Sequence, residues 1–210
     1  MPARPRYSAS PVPDALFQRR AACRTLAASR NRSTIGLVYS PTLKLIAVLA
    51  KRRPAPSVPP ILQSLFERLG RARGERDALA AEDRIWSVWM AHPNAAAAAV
   101  LDRATGDIAG QRYDIAETRL VRLIRACPGY AEAWHKLGTL YYLLGRDDES
   151  IESLHKALEI EPRHFGALAS VGEILLGGAD REGAAMAFHS ALRVHPHLAG
   201  VRERLQTLRE

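Results

Sequence analysis

Cysteine is almost missing from this chain of 210 residues: Cys23 and Cys127 are far apart and form no CxxC pair. A disulfide framework and a structural zinc site are therefore unsupported. No run of eighteen apolar residues occurs, so a spanning helix is not expected. There is no phosphate loop, no GxSxG elbow and no dinucleotide fingerprint. Acidic residues are missing from one region only. Residues 1–60 hold eleven Lys/Arg and a single acid, Asp14, whereas residues 61–210 hold nineteen Lys/Arg against twenty-one Asp/Glu. The net charge of +8 thus belongs to the first sixty residues, and the remainder is close to neutral.

What is present divides the same way. Residues 1–60 are rich in Arg, Ser, Ala and Pro and read as a disordered basic arm, closed by an extended linker with Pro54, Pro56, Pro59 and Pro60. Within the arm, Leu43 to Ala50 is a short apolar run interrupted by Lys44. An export signal, an organelle transit peptide, sequence upstream of the true start and an ordinary arm all remain open for it. From residue 61 onward helical periodicity sets in. Ile61, Leu62, Leu65, Phe66 and Leu69 make one apolar face, and Leu79, Ile85, Trp86, Trp89 and Met90 another, so residues 61–93 read as two helices.

A repeat follows. Pro128, Pro162 and Pro196 are spaced by 34, as are Gly138 and Gly172, Ala157 and Ala191, and Trp134 and Leu168. Register shared across residue types indicates a tandem supersecondary unit. Trp134, Leu137, Gly138 and Tyr141, followed by Ala157 and Pro162, resemble the tetratricopeptide repeat family. Ser150 stands where alanine is usual and Leu154 where an aromatic is usual. Residues 165–198 repeat the pattern through Leu168, Val171, Gly172, Leu175, Ala184, Phe188, Ala191 and Pro196. Residues 97–130 are a degenerate unit whose first helix fits with a one-residue slip through Leu101, Ala104 and Ile108. Residues 198–210, with Leu198, Val201, Leu205 and Leu208, read as a closing helix.

The resemblance implies an all-α solenoid of helix-turn-helix units and a protein or peptide partner held in the concave groove of the first helices. Carried over position by position, the groove is Glu132, His135, Thr139, Tyr142 and Leu143 in one unit, and Gly166, Ala169, Glu173, Leu176 and Gly177 in the next. Asp102, Glu132 and Glu173 would make it mildly negative and suit a neutral or basic segment with an apolar anchor. Thr139 stands where the chaperone-binding subfamily has a clamp asparagine, which argues against a carboxylate clamp. A narrower resemblance, through Trp86, Trp89, the 161–168 junction and Val201 to Leu205, is to small repeat proteins of alphaproteobacteria. Many of those are exported, which leans the location toward export.

The seven histidines show no i, i+4 ligand pair and read as surface residues, so neither a metal nor a cofactor is expected. Nothing in the motifs supports catalysis. The arm supplies a second functional reading, contact with nucleic acid or an anionic surface by charge alone. Its lack of aromatic interleaving and of any recognition motif argues against nucleic acid.

Overall fold

The computed structural model describes residues 53–209. Among these residues there are nine α-helices and no strand. They are α1 Ile61–Gly70, α2 Glu75–Met90, α3 Ala95–Ala109, α4 Tyr113–Ala126, α5 Ala131–Leu143, α6 Asp147–Ile160, α7 Phe165–Gly177, α8 Arg181–Val194 and α9 Ala199–Thr207. Local chemistry sets the ends. Pro59 and Pro60 open α1, where a missing amide costs nothing. Asn94 caps α3 by accepting from the amides of Ala96 (2.9 Å) and Ala97 (3.4 Å). Asp180 caps α8 through the Gly183 amide, and Asp147, Asp148 and Glu149 fill the first turn of α6. Pro128, Pro162 and Pro196 each follow the end of a second helix.

The repeats are the helix pairs α3–α4, α5–α6 and α7–α8. Gly138 and Gly172 sit where paired helices cross. A Cβ on Gly138 would lie 2.8 Å from Leu154, and one on Gly172 would collide with the Phe188 ring. Ser150, in place of the usual alanine, donates its hydroxyl to the Gly138 carbonyl at 2.7 Å. That bond satisfies a polar group inside the contact. In the degenerate unit Leu101, Ala104 and Ile108 are all buried, as the one-residue slip requires.

Two apolar clusters result. One joins α3 and α4 to the Tyr130–Tyr141 side of α5. The other gathers α6 to α9 around Phe165 and Phe188, and it also takes in α1, α2 and Tyr142. Trp134 touches both clusters yet is only partly buried, and its indole N–H donates to the Pro128 carbonyl. The buried stripe of α2 is Ala78, Ala81, Glu82, Ile85, Trp86 and Trp89; Leu79, assigned to that face from sequence, is half exposed.

Residues 54–60 are not a free extended linker. The Ala55 amide donates to the Ile160 carbonyl at 2.8 Å, Val58 packs on the core, and a turn lies between them. No helix among the described residues is long and apolar enough to cross a membrane. Cys127 is half-buried; Cys23 and the apolar run at 43–50 lie outside the described residues.

Candidate functional site

The groove positions of α5 and α7 fall into two halves. Glu132, His135, Thr139 and Tyr142 are buried, and Leu143 is half-buried. Gly166 is buried, Ala169, Glu173 and Leu176 are half-buried, and Gly177 is exposed. The cause of the difference is α2, which lies against the first half. Trp86 stacks on His135 with ring centroids 6.0 Å apart, and Trp89 stacks on His164 at 4.0 Å and 6°. Both indoles also meet Phe165. The approach is close enough that a Cβ on Gly166 would lie 2.8 Å from Trp86. At the far end of α2, Tyr130 donates its hydroxyl to the Met90 carbonyl at 2.6 Å.

Beneath the indoles is a polar network. The Glu132 carboxylate lies 2.8 Å from His164 Nε2, 3.3 Å from His135 Nδ1 and 3.1 Å from Lys136 Nζ. Burial alone would raise the Glu132 carboxyl, but Lys136, His135 and His164 together hold it well below the usual carboxylate range. Burial lowers His135 to about 4, with the attraction of Glu132 only partly opposing. A parallel pair joins α2 to the α8–α9 turn: Glu82 lies 3.1 Å from His195 Nε2 and accepts from Trp86 Nε1 at 3.2 Å.

Backbone amides fix two of these tautomers. An N–H can only donate, so His164 Nδ1, which faces the Ala167 amide at 3.1 Å, accepts, and the ring proton sits on Nε2 facing Glu132. The same holds for His195, whose Nδ1 accepts from the His197 amide at 3.2 Å.

Glu132, His135 and His164 offer ligand atoms within 4.8 Å of one another, as a metal site would. A metal on His164 Nε2 would move the ring proton to Nδ1, against the Ala167 amide, and Lys136 already places a cation on the carboxylate. The donor set therefore fits a hydrogen-bonded acid–imidazole cluster better than a divalent ion.

The expectation of surface histidines is corrected by this cluster. His135, His164 and His195 are at most 1% exposed, because each imidazole lies against an aromatic ring and a carboxylate. The mildly negative groove is corrected as well: Glu132 is buried among three partners, and Glu173 pairs with Arg204 of α9 at 2.9 Å. Glu82, His164 and His195 were not singled out from sequence. The one local signal was the position of His164 immediately before a helix, where a side-chain acceptor caps.

The second half of the groove stays open. A cavity of about 250 Å³ lies between the first turns of α2, the face of α7 and the start of α9. Ala169, Glu173, Leu79, Glu75, His197 and Val201 are among its lining residues, and no Lys or Arg among the described residues lines it.

Comparison with known proteins agrees with this architecture. Residues 131–164 match the tetratricopeptide repeat family model. A tetratricopeptide repeat-containing protein of Rhizobium etli is 29% identical over 164 residues, covering 78% of this chain and 80% of that protein. The first tetratricopeptide domain of Spaghetti (RPAP3), solved bound to the HSP90 peptide SRMEEVD, superposes with a TM-score of 0.52 at 14% identity. That match covers 54% of this chain and 90% of that one. The Sgt2 tetratricopeptide domain of Aspergillus fumigatus gives a TM-score of 0.52 at 17% identity, over 57% of this chain and 80% of its own. The chain thus carries a tetratricopeptide repeat at residues 131–164 within an all-helical solenoid of that type.

Proposed function

We propose that the chain is a non-enzymatic interaction scaffold that receives a protein segment in the open half of its groove, at Ala169, Glu173 and Leu176. The observation that carries this reading is the cavity left at the α7 groove positions once α2 has covered the rest. Its walls are largely apolar, through Leu79, Phe165, Leu198 and Val201, which suits an inserted apolar side chain. Glu75, exposed at the rim, gives it acidic character, so a neutral or basic flank is favoured. An acidic segment such as the HSP90 peptide of the Spaghetti complex would meet no cation among the lining residues. Glu132 and His135, beneath the α2 indoles, would join the binding surface only with α2 displaced, and Thr139, Tyr142 and Leu143 would extend it along α5.

Screening the full chain against a peptide array tests this. Segments with an apolar anchor and basic flank should bind, and Ala169→Arg, which fills the cavity, should abolish binding while leaving helical content intact. Selection of acidic segments, or an Ala169→Arg chain that binds as well as the original, would overturn the reading. The charge split supports a second reading, in which residues 1–60 contact an anionic surface. Salt-sensitive retention on heparin that vanishes when those residues are removed would support it.

A further inference from the structure

The seam between α2 and the groove is built unlike the other helix contacts in this molecule. The α5–α6 and α7–α8 crossings are closed by small residues and apolar side chains around Gly138 and Gly172. The α2 seam holds three buried imidazoles and two buried carboxylates, and two of its buried polar atoms, Trp89 Nε1 and His135 Nε2, have no hydrogen-bond partner among the described residues. Each unpartnered buried polar atom carries a desolvation cost for keeping this contact closed. The hairpin α1–α2 reaches the solenoid through long side chains: Glu82 to His195, Trp86 and Trp89 to His135 and His164, and Phe66 beneath the Arg163 guanidinium. It leaves by residues 91–94, where Ala91, Pro93 and Asn94 are exposed.

None of the three imidazoles has an acceptor among the described residues placed to take a second ring proton. A second proton on His164 or His195 would fall on Nδ1, which already faces the amide of Ala167 or His197. On His135 it would fall on Nε2, a partnerless atom 3.4 Å from where a Gly166 Cβ would stand. The charged and titratable groups facing these rings are Glu132 and Lys136 from α5, Glu82 from α2 and His197 from the α8–α9 turn. From α7, Phe165 and Gly166 carry no charge, while Glu173 of α7 and Glu75 of α2 line the cavity that His195 also lines. The Glu82 and Glu132 carboxylates already accept from other donors, so neither offers a fresh acceptor aimed at the atom that would take the proton.

We propose that the α1–α2 hairpin is a releasable cover over the first half of the groove, and that acid releases it by adding a proton to a seam whose free ring nitrogens face amide N–H groups or no partner among the described residues. Release exposes Glu132 and His135 while the three helix pairs stay folded, the α5–α6 and α7–α8 crossings being closed by apolar side chains around Gly138 and Gly172. The low value for His135 agrees with the geometry. What the groove binds does not enter the argument, so failure here would leave the proposed scaffold role standing.

The test uses the full chain carrying Trp134→Phe, so that indole emission reports Trp86 and Trp89 alone. Emission, far-ultraviolet dichroism and limited proteolysis at residues 91–94 are followed from about pH 7.5 to about pH 4. Emission should shift to the red, and cleavage at 91–94 should accelerate about tenfold or more, at a pH where the helical signal is still intact. His135→Leu should move the emission midpoint down by about one pH unit. Emission that stays constant throughout the range, or emission and dichroism lost together in one transition, would overturn the proposal. So would an unshifted midpoint in a folded His135→Leu chain. Should that variant not fold, the comparison of the two signals in the chain with His135 intact decides alone.

Discussion

Gly145 and Ala179, thirty-four residues apart, hold the same left-handed backbone conformation, with φ of 80° and 66°. Gln111 (φ 59°) takes the equivalent place in the degenerate unit, thirty-four residues earlier. The repeat is therefore written in the backbone of all three turns between paired helices, even where side-chain identity has drifted. Glycine adopts this conformation freely, whereas an L-residue such as alanine pays about 1 kcal/mol for it. Ala179→Gly should accordingly raise stability by up to about 1 kcal/mol in urea melts, and Gly145→Ala should lower it by a similar amount. Opposite signs would mean that the turns are held by something other than this backbone preference.

Close approach, not conformational freedom, explains Gly138, Gly166 and Gly172 within their helices. Gly172→Ala drives a methyl into the Phe188 ring, and a loss of about 1–3 kcal/mol is expected. Gly106, on the outside of α3, has nothing within 4 Å of its would-be Cβ. Gly106→Ala should gain about 0.5–1 kcal/mol from helix propensity. Equal effects of the two substitutions would contradict the assigned crossing.

Phe165 is fully buried and touches Trp86, Trp89 and His195, so it ties α2, α7 and the α8–α9 turn together. Phe165→Ala should cost about 3–5 kcal/mol. Trp134, although it begins the repeat signature, is only partly buried, so Trp134→Ala should cost clearly less. Thermal or urea melts that rank the pair the other way would contradict the core described above.

The contrast between these two residues shows what sequence could reveal. Prolines at 128, 162 and 196 and glycines at 138 and 172 act on their own backbone or on a helix one turn away in the chain, so their spacing exposes the repeat directly. The amphipathic stripe through Ile85, Trp86 and Trp89 likewise shows that α2 must bury a face. It cannot show against what. The partner of Glu82 is 113 residues away, and His164, one of the three partners of Glu132, is 32 residues away with all of α6 between them. The candidate groove positions read by analogy with an open array fall on α5 and α7, but the helix that packs over part of them is specified by contacts with no local pattern.

Acid should weaken the fold through His135. Its folded value of about 4 lies below the ordinary 6.5, so the unfolded chain binds the proton first. Stability is thus fully present above about pH 6.5 and declines as pH falls toward 4, by about 2 kcal/mol between about pH 7 and about pH 5. Glu132, lowered below its ordinary 4.5, keeps its contribution until pH drops beneath that value. Urea melts of the full chain should show this slope, and His135→Leu should flatten it. An unchanged slope in that variant would place the acid sensitivity elsewhere.

The docking of α2 in the groove is tested most directly by a double-mutant cycle between Glu82 and His195, whose Oε2 and Nε2 lie 3.1 Å apart across 113 residues. Stabilities of the full chain, Glu82→Gln, His195→Phe and the double variant give the coupling between the two side chains. Contact in a buried setting predicts a coupling of about 0.5–3 kcal/mol. Losses that simply add, within about 0.3–0.5 kcal/mol, would show that α2 does not lie in the groove and would contradict the account.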